Sequence, residues 1–142
     1  MIFQLCIIAG VTAFATYNIA TFGSRKLTTK LEGKTLIQSD RLGGDRATLD
    51  AVWWPRESQR TIALLAATNP TLVCGIDAVL RDGRRMTEVI VSEGLGFSCS
   101  TCSSLYSLEQ QARAERRGLW RDDPTARFTY AARMQRESTQ GS

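Results

Sequence analysis

The chain has 142 residues, 43% hydrophobic and 23% charged, with a formal net charge of +4, a balance that belongs to folded proteins and not to disordered or collagen-like ones. This length excludes a TIM barrel, a paired Rossmann fold and any two-domain enzyme, and leaves about 90 residues for a compact core that folds without metals or disulfides. The apolar residues are unevenly spread: no charged side chain occurs from Ile2 to Phe22, and every Lys and Arg lies beyond Gly23.

Residues 2–22 are long enough to cross the hydrocarbon layer of a lipid bilayer as one helix, so a transmembrane helix is expected at 1–22. A cleaved secretory signal needs a basic stretch ahead of the apolar run, and none precedes it. A buried core helix would show a polar stripe, which this run lacks. Arg25, Lys26 and Lys30 follow the span, which by the positive-inside rule places the rest in the cytoplasm or matrix, with the periplasm as the alternative.

Residues 23–32 read as a polar tether. Thr35–Ile37 and Arg46–Trp53 alternate like strands around the Gly43-Gly44 turn. Pro55 opens a helix that runs to Ala67 and stops at Asn69-Pro70. Thr71–Ile76 and Ala78–Leu80 read as strand, ended by Asp82-Gly83. Met86–Glu93 places Met86, Val89 and Ile90 on one helical face, and Gly94 caps it. A last helix is expected from about Leu105 to Arg117, capped by Gly118, with Leu119-Trp120 folding back on it. Residues 123–142 form a basic polar tail, either a loose or short amphipathic segment or a strip that docks on a partner.

Cys99 and Cys102 form a C-x-x-C, and Cys74 is a third thiol beyond the apolar run. A structural zinc wants four Cys or His ligands, and the chain contains no His, so no metal or other cofactor is expected. A disulfide involving Cys99, Cys102 or Cys74 and free thiols both remain open. A thioredoxin-type redox pair is a third alternative, weakened because Ser98–Ser104 shows no strand-to-helix apolar context. Asp40, Asp45, Asp50, Glu57 and Asp77 are scattered carboxylates for which surface solvation outweighs metal binding.

Asp82-Gly-Arg-Arg-Met-Thr-Glu-Val-Ile-Val-Ser-Glu-Gly-Leu-Gly96, followed by Leu108-Glu-Gln-Gln-Ala-Arg-Ala-Glu-Arg-Arg-Gly-Leu-Trp120, resembles the C-terminal half of the staphylococcal nuclease-like (thermonuclease) family. The resemblance covers about Thr71–Asp122 and is thinner over Gly33–Ala67. It implies an OB-like five-stranded β-barrel with about three helices, an α+β domain over 33–122. In that scaffold Gly83 turns the chain, Gly94 and Gly118 end helices, Glu109 bonds backbone donors of a neighbouring loop, and Trp120 closes one end of the core.

The resemblance also implies calcium-assisted phosphodiester hydrolysis, with two metal-holding aspartates, a glutamate that assists water, and two arginines on the phosphate. Matched position by position, the first aspartate becomes Lys34, the second Trp53, the glutamate Arg56 and one arginine Cys74; Arg46 alone remains for the other. A lysine and an arginine in place of carboxylates repel Ca²⁺, whose ligands are hard and often anionic oxygens. No catalytic residue is therefore expected.

The function expected is a non-catalytic accessory or assembly subunit of a membrane protein complex, partnered by its other subunits, with Trp53, Trp54 and Phe128 as exposed apolar contacts. One alternative is a membrane-anchored nuclease built on Asp50 or Glu57. The other is an OB-type nucleic-acid-binding module, disfavoured because Arg84, Arg85, Arg113, Arg116 and Arg117 are interleaved with Glu88, Glu93, Glu109 and Glu115.

Overall fold

The computed structural model describes residues 26–141. The span expected at residues 1–22 lies outside the described residues. Among those described, no helix is long and apolar enough to cross a membrane, so they do not support the single-pass membrane placement or the cytoplasmic or matrix side read from it. The chain divides into two compact units, one comprising residues up to Leu49 with Ala63–Met86, the other Asp50–Ile62 with Thr87 onward.

The first unit opens on an antiparallel meander, β1 (Thr28–Glu32), β2 (Thr35–Asp40) and β3 (Gly43–Thr48). The register places Leu36 opposite both Leu31 and Ala47, and Leu36, Ala47 and the following Leu49 are buried. Asp40 Oδ1 accepts the Leu42 N–H at 2.7 Å, the side-chain bond that lets an aspartate hold a tight turn. The expected tether at 23–32 is thus a strand from Thr28 onward. Its polar face is held by side chains: Thr29 Oγ1 donates to Asn69 Oδ1 at 2.9 Å, and Gln38 Nε2 donates to Thr29 Oγ1 and to the Pro70 carbonyl. A second hairpin pairs β5 (Thr71–Val73) with β6 (Asp77–Val79), and its carbonyl at Gly75 accepts the Thr48 N–H at 2.9 Å.

In the second unit β4 (Val52–Trp53) pairs antiparallel with β7 (Phe97–Ser98). Pro55 precedes α1 (Arg56–Ala66), whose first turns belong to this unit, and the Pro55 carbonyl accepts the Ser58 N–H. The remaining elements are α2 (Met86–Ser92), α3 (Ser103–Ala114), a 3-10 turn (Gly118–Trp120) and α4 (Ala126–Gln140). Phe97 is the centre of the core, with Ala112, Trp120 and Ala126 buried beside it and Trp53, Leu119 and Tyr130 packed around them. Its ring lies 4.6 Å from Trp53, 5.5 Å edge-on from Trp120 and 6.3 Å from Tyr130. Tilted and edge-to-face contacts of this kind add about 0.5–1.5 kcal/mol per pair to the burial of the rings.

The expected five-stranded barrel does not form. Seven short strands fall into one three-stranded and two separate two-stranded antiparallel sheets, with four α-helices among the described residues. The physical reason lies in strand length: β4 and β7 have two residues each and β5 and β6 three, too few ladder bonds to carry pairing around a closed cylinder. The run Arg46–Trp53, which alternates like one strand, is interrupted by a turn after Leu49.

The tail is also more ordered than a frayed end. Asp123 accepts the Thr125 N–H and hydroxyl through Oδ1 and the Thr129 hydroxyl through Oδ2, all within 2.8 Å, and so organises the first turn of α4. Further along, Arg133 Nη2 reaches both carboxylate oxygens of Glu57 at 2.7 Å, and Arg56 pairs with Glu137 at 3.1 Å.

Candidate functional site

The positions that the nuclease resemblance singles out are distributed over both units. In the first unit, Lys34 lies in the β1–β2 turn, where its carbonyl accepts the Leu49 N–H at 2.9 Å. Cys74 is exposed in the β5–β6 turn, with a left-handed φ of 53°. Arg46 is exposed on β3. In the second unit, Trp53 packs its ring on Phe97, and Arg56 is bound to Glu137.

The carboxylates are equally committed. Asp45 accepts the Arg46 N–H, Asp77 is buried and accepts the Ala78 N–H, and Glu57 is held by Arg133. Asp50 is exposed in the turn after Leu49. Among the described residues no three His, Cys, Asp or Glu side chains converge as a metal-holding group, so the donor set does not fit the calcium ion of the nuclease family.

A cavity of about 290 Å³ in the second unit brings other residues together: Tyr106, Glu109 and Arg113 from α3, Trp120 from the 3-10 turn, and Arg127 and Phe128 from α4. Glu109 is fully buried. Its Oε1 accepts the Ser98 N–H at 2.8 Å and Arg127 Nη1 at 2.6 Å, with the Ser98 hydroxyl at 3.4 Å. Glu109 Oε2 and Trp120 Nε1, one acceptor and one donor, are buried without a hydrogen-bond partner among the described residues. Leaving such groups unmatched costs about 1–3 kcal/mol each. Phe128, 73% exposed, and Tyr106, 51% exposed, line the same cavity. The Arg113 guanidinium stands 5.9 Å from the Trp120 ring centre, within cation–π reach.

This site takes up Glu109 and Trp120, which the sequence presents as scaffold, and Arg113, which it places among interleaved surface charges, and adds Tyr106 and Arg127, which it does not single out. Of the three apolar contacts expected, Phe128 alone is strongly exposed. Trp54 is buried with Nε1 donating to Gln59 Oε1 at 2.6 Å, and Trp53 is partly buried against the core cluster. Arg127 carries no signal in its own neighbourhood; its partner lies 18 residues earlier.

Electrostatics are local. The Thr125 and Thr129 hydroxyls, with the Thr125 N–H, hold the Asp123 carboxyl below its ordinary range. Hydrogen bonds from the Arg84 N–H and guanidinium do the same for Asp82. The Glu57 carboxylate raises Arg133, already a strong base.

The cysteines occupy a strand-to-helix connection. Cys99 follows β7 directly, Cys102 is the N-cap of α3, and their sulfurs are bonded in a disulfide with the Cα atoms 5.4 Å apart. That context, missing from the apolar pattern, exists because Ser98 is buried against Glu109. Cys74 stays outside the bridge. Compared with known proteins, the chain matches no family model and no curated sequence.

Proposed function

We propose that the chain is a non-catalytic accessory or assembly subunit of a larger protein complex, a silent relative of the staphylococcal nuclease-like family, and that it holds its partner in the cleft of the second unit. The observation that carries this reading is the employment of Trp53 and Arg56. Where the family resemblance calls for a metal carboxylate and a carboxylate that assists water, there stand a tryptophan packed on Phe97 and a surface arginine paired with Glu137, neither of which supplies a carboxylate. The cleft supports the binding half of the reading. A lining that combines the exposed rings of Phe128 and Tyr106 with the cation of Arg113 suits an apolar or aromatic side chain flanked by acidic residues.

A photo-cross-linking amino acid at position 128 of the full-length chain, expressed in its native cells, tests the idea. A discrete adduct is expected, lost with Arg113→Glu and absent when the probe stands at the exposed Leu42. Equal labelling from both positions overturns the cleft as a docking surface. Turnover of DNA or RNA with Ca²⁺ or another divalent ion, abolished by changing Asp50 or Glu57, overturns the non-catalytic reading.

A further inference from the structure

We propose that the Cys99–Cys102 bridge is a thiol–disulfide exchange site that takes small or protein-borne thiols as its substrate class, and not a structural staple. It stands apart from the docking surface proposed above and does not rest on it.

Three features carry the inference. The first is placement: Cys102 is the N-cap of a twelve-residue helix, with no side-chain hydrogen bond capping that end and no acidic residue in the first turn. The leading N–H groups of a helix and its dipole favour a negative charge at this position, where serine and aspartate normally sit. A Cys102 thiolate is stabilised there, as thiolates at helix N-termini are.

The second is access. Cys99 and Cys102 are both partly exposed, and Ser100 and Thr101 between them are open to solvent. The third is how the loop is held. Cys99 N–H donates to the Ala51 carbonyl at 2.8 Å, Cys102 N–H to the Cys99 carbonyl at 3.2 Å, and Tyr106 N–H to the Cys102 carbonyl at 2.9 Å. These bonds belong to the backbone and survive reduction, so the two sulfurs stay near each other when the bridge opens. A bridge spanning a separation of three also restrains the unfolded chain least, since disulfide stabilisation grows with loop length.

The exchange follows from which sulfur leaves best. An incoming thiolate attacks Cys99 Sγ, the Cys99–Cys102 bond breaks, and its electron pair departs on Cys102 at the helix N-terminus. The product is a mixed disulfide on Cys99. A second thiolate then attacks the substrate sulfur of that mixed disulfide and releases Cys99 as thiolate. Two substrate thiols are oxidised to one disulfide, the protein bridge is reduced, and the two protons given up by the substrate thiols balance the two protein thiols.

The test uses the full-length chain carrying Cys6→Ser and Cys74→Ser, oxidised, with millimolar reduced glutathione, acid quenching and intact-mass measurement. Reduction within minutes with unchanged far-ultraviolet circular dichroism is expected. In the Cys99→Ser variant, oxidised glutathione is expected to leave its adduct on Cys102 faster than on Cys99 in Cys102→Ser, because the helix end keeps more of Cys102 as thiolate. Ser103→Asp, which supplies a competing charge to the helix end, is expected to slow reduction about two- to fivefold. A bridge that resists glutathione for hours in the folded chain, or whose reduction unfolds it, overturns the proposal. Indifference to Ser103→Asp overturns the role of the helix end.

Discussion

Arg127 Nη1 lies 2.6 Å from Glu109 Oε1, and the two are unequally buried, the arginine side chain 22% exposed and the glutamate 1%. The carboxylate also accepts the Ser98 N–H, so one oxygen couples α4 to α3 and to β7. Arg127→Met removes the cation and leaves a buried carboxylate, a change that costs about 3–5 kcal/mol. Urea unfolding at neutral pH is expected to show a loss in that range. Adding Glu109→Gln, which keeps an acceptor for Ser98 without the charge, is expected to restore part of it. A single-variant loss below about 1 kcal/mol would mean that water already shares the carboxylate.

Gly94 and Gly118 are locked together by backbone. Both have positive φ, 71° and 55°, and the Leu119 N–H donates to the Gly94 carbonyl at 2.9 Å. A Cβ on Gly118 would stand 2.5 Å from the Gly94 oxygen and 2.6 Å from that of Glu93, and one on Gly94 would meet the Arg117 carbonyl. Alanine at either position adds this clash to a left-handed penalty of about 1–2 kcal/mol. Gly33, with φ of 59° and nothing within 4 Å of the place a Cβ would take, isolates the conformational part. Gly33→Ala is therefore expected to cost about 1–2 kcal/mol in thermal or urea unfolding, and Gly118→Ala clearly more. Equal losses would show that the chain moves aside at Gly118.

The glycine positions show what kind of structure is legible in a sequence. Pro55 and the apolar spacing after it place a helix within a residue of where it lies, 56–66, because start signal and periodicity are both local. The second helix and its Gly94 cap are legible for the same reason. What fails is whatever depends on a distant polar partner. Thr28–Glu32 looks like a tether because the buried Thr29 is held by a hydrogen bond to Asn69, 40 residues away, which no local pattern announces. The C-terminal helix looks like a tail because Glu57, 76 residues earlier, holds Arg133. Barrel closure is a pairing property with no local code, and the two- and three-residue strands are too short to impose it. For the candidate site, Glu109 and Trp120 stand out by their motif, whereas Arg127 and Tyr106 become visible only once α3 and α4 face one another.

Asp123 ties an acid-sensitive step to the start of α4. Its carboxyl is depressed by the hydroxyls of Thr125 and Thr129 and by the Thr125 N–H. A carboxyl lower in the folded than in the unfolded chain stabilises the fold above its unfolded value, and that contribution disappears as the pH falls through the folded value. The window accordingly lies below about pH 4, the ordinary aspartate range. Asp123→Asn is expected to be less stable than the parent at pH 7 and to converge with it as the pH drops below that range, measured by urea midpoints across pH. A constant gap between the two at every pH would assign the effect to lost hydrogen bonds alone and not to ionisation.

Phe97 and Phe128 separate the core from the surface with the same side chain. Phe97 is fully buried against Trp53, Trp120 and Tyr130, so Phe97→Ala removes three ring contacts and leaves a cavity, at a cost of about 3–5 kcal/mol. Phe128 is 73% exposed at the rim of the cleft, where an apolar ring gains little from folding. Phe128→Ser is expected to change the urea midpoint by no more than about 0.5 kcal/mol equivalent. If the ring is kept for a partner, the same substitution abolishes the cross-linked adduct obtained with the photoprobe moved to Tyr106, while Phe128→Leu retains it. Loss of stability in Phe128→Ser comparable to that of Phe97→Ala would place the ring in the fold instead, and retention of the adduct by Phe128→Ser would remove it from the docking surface.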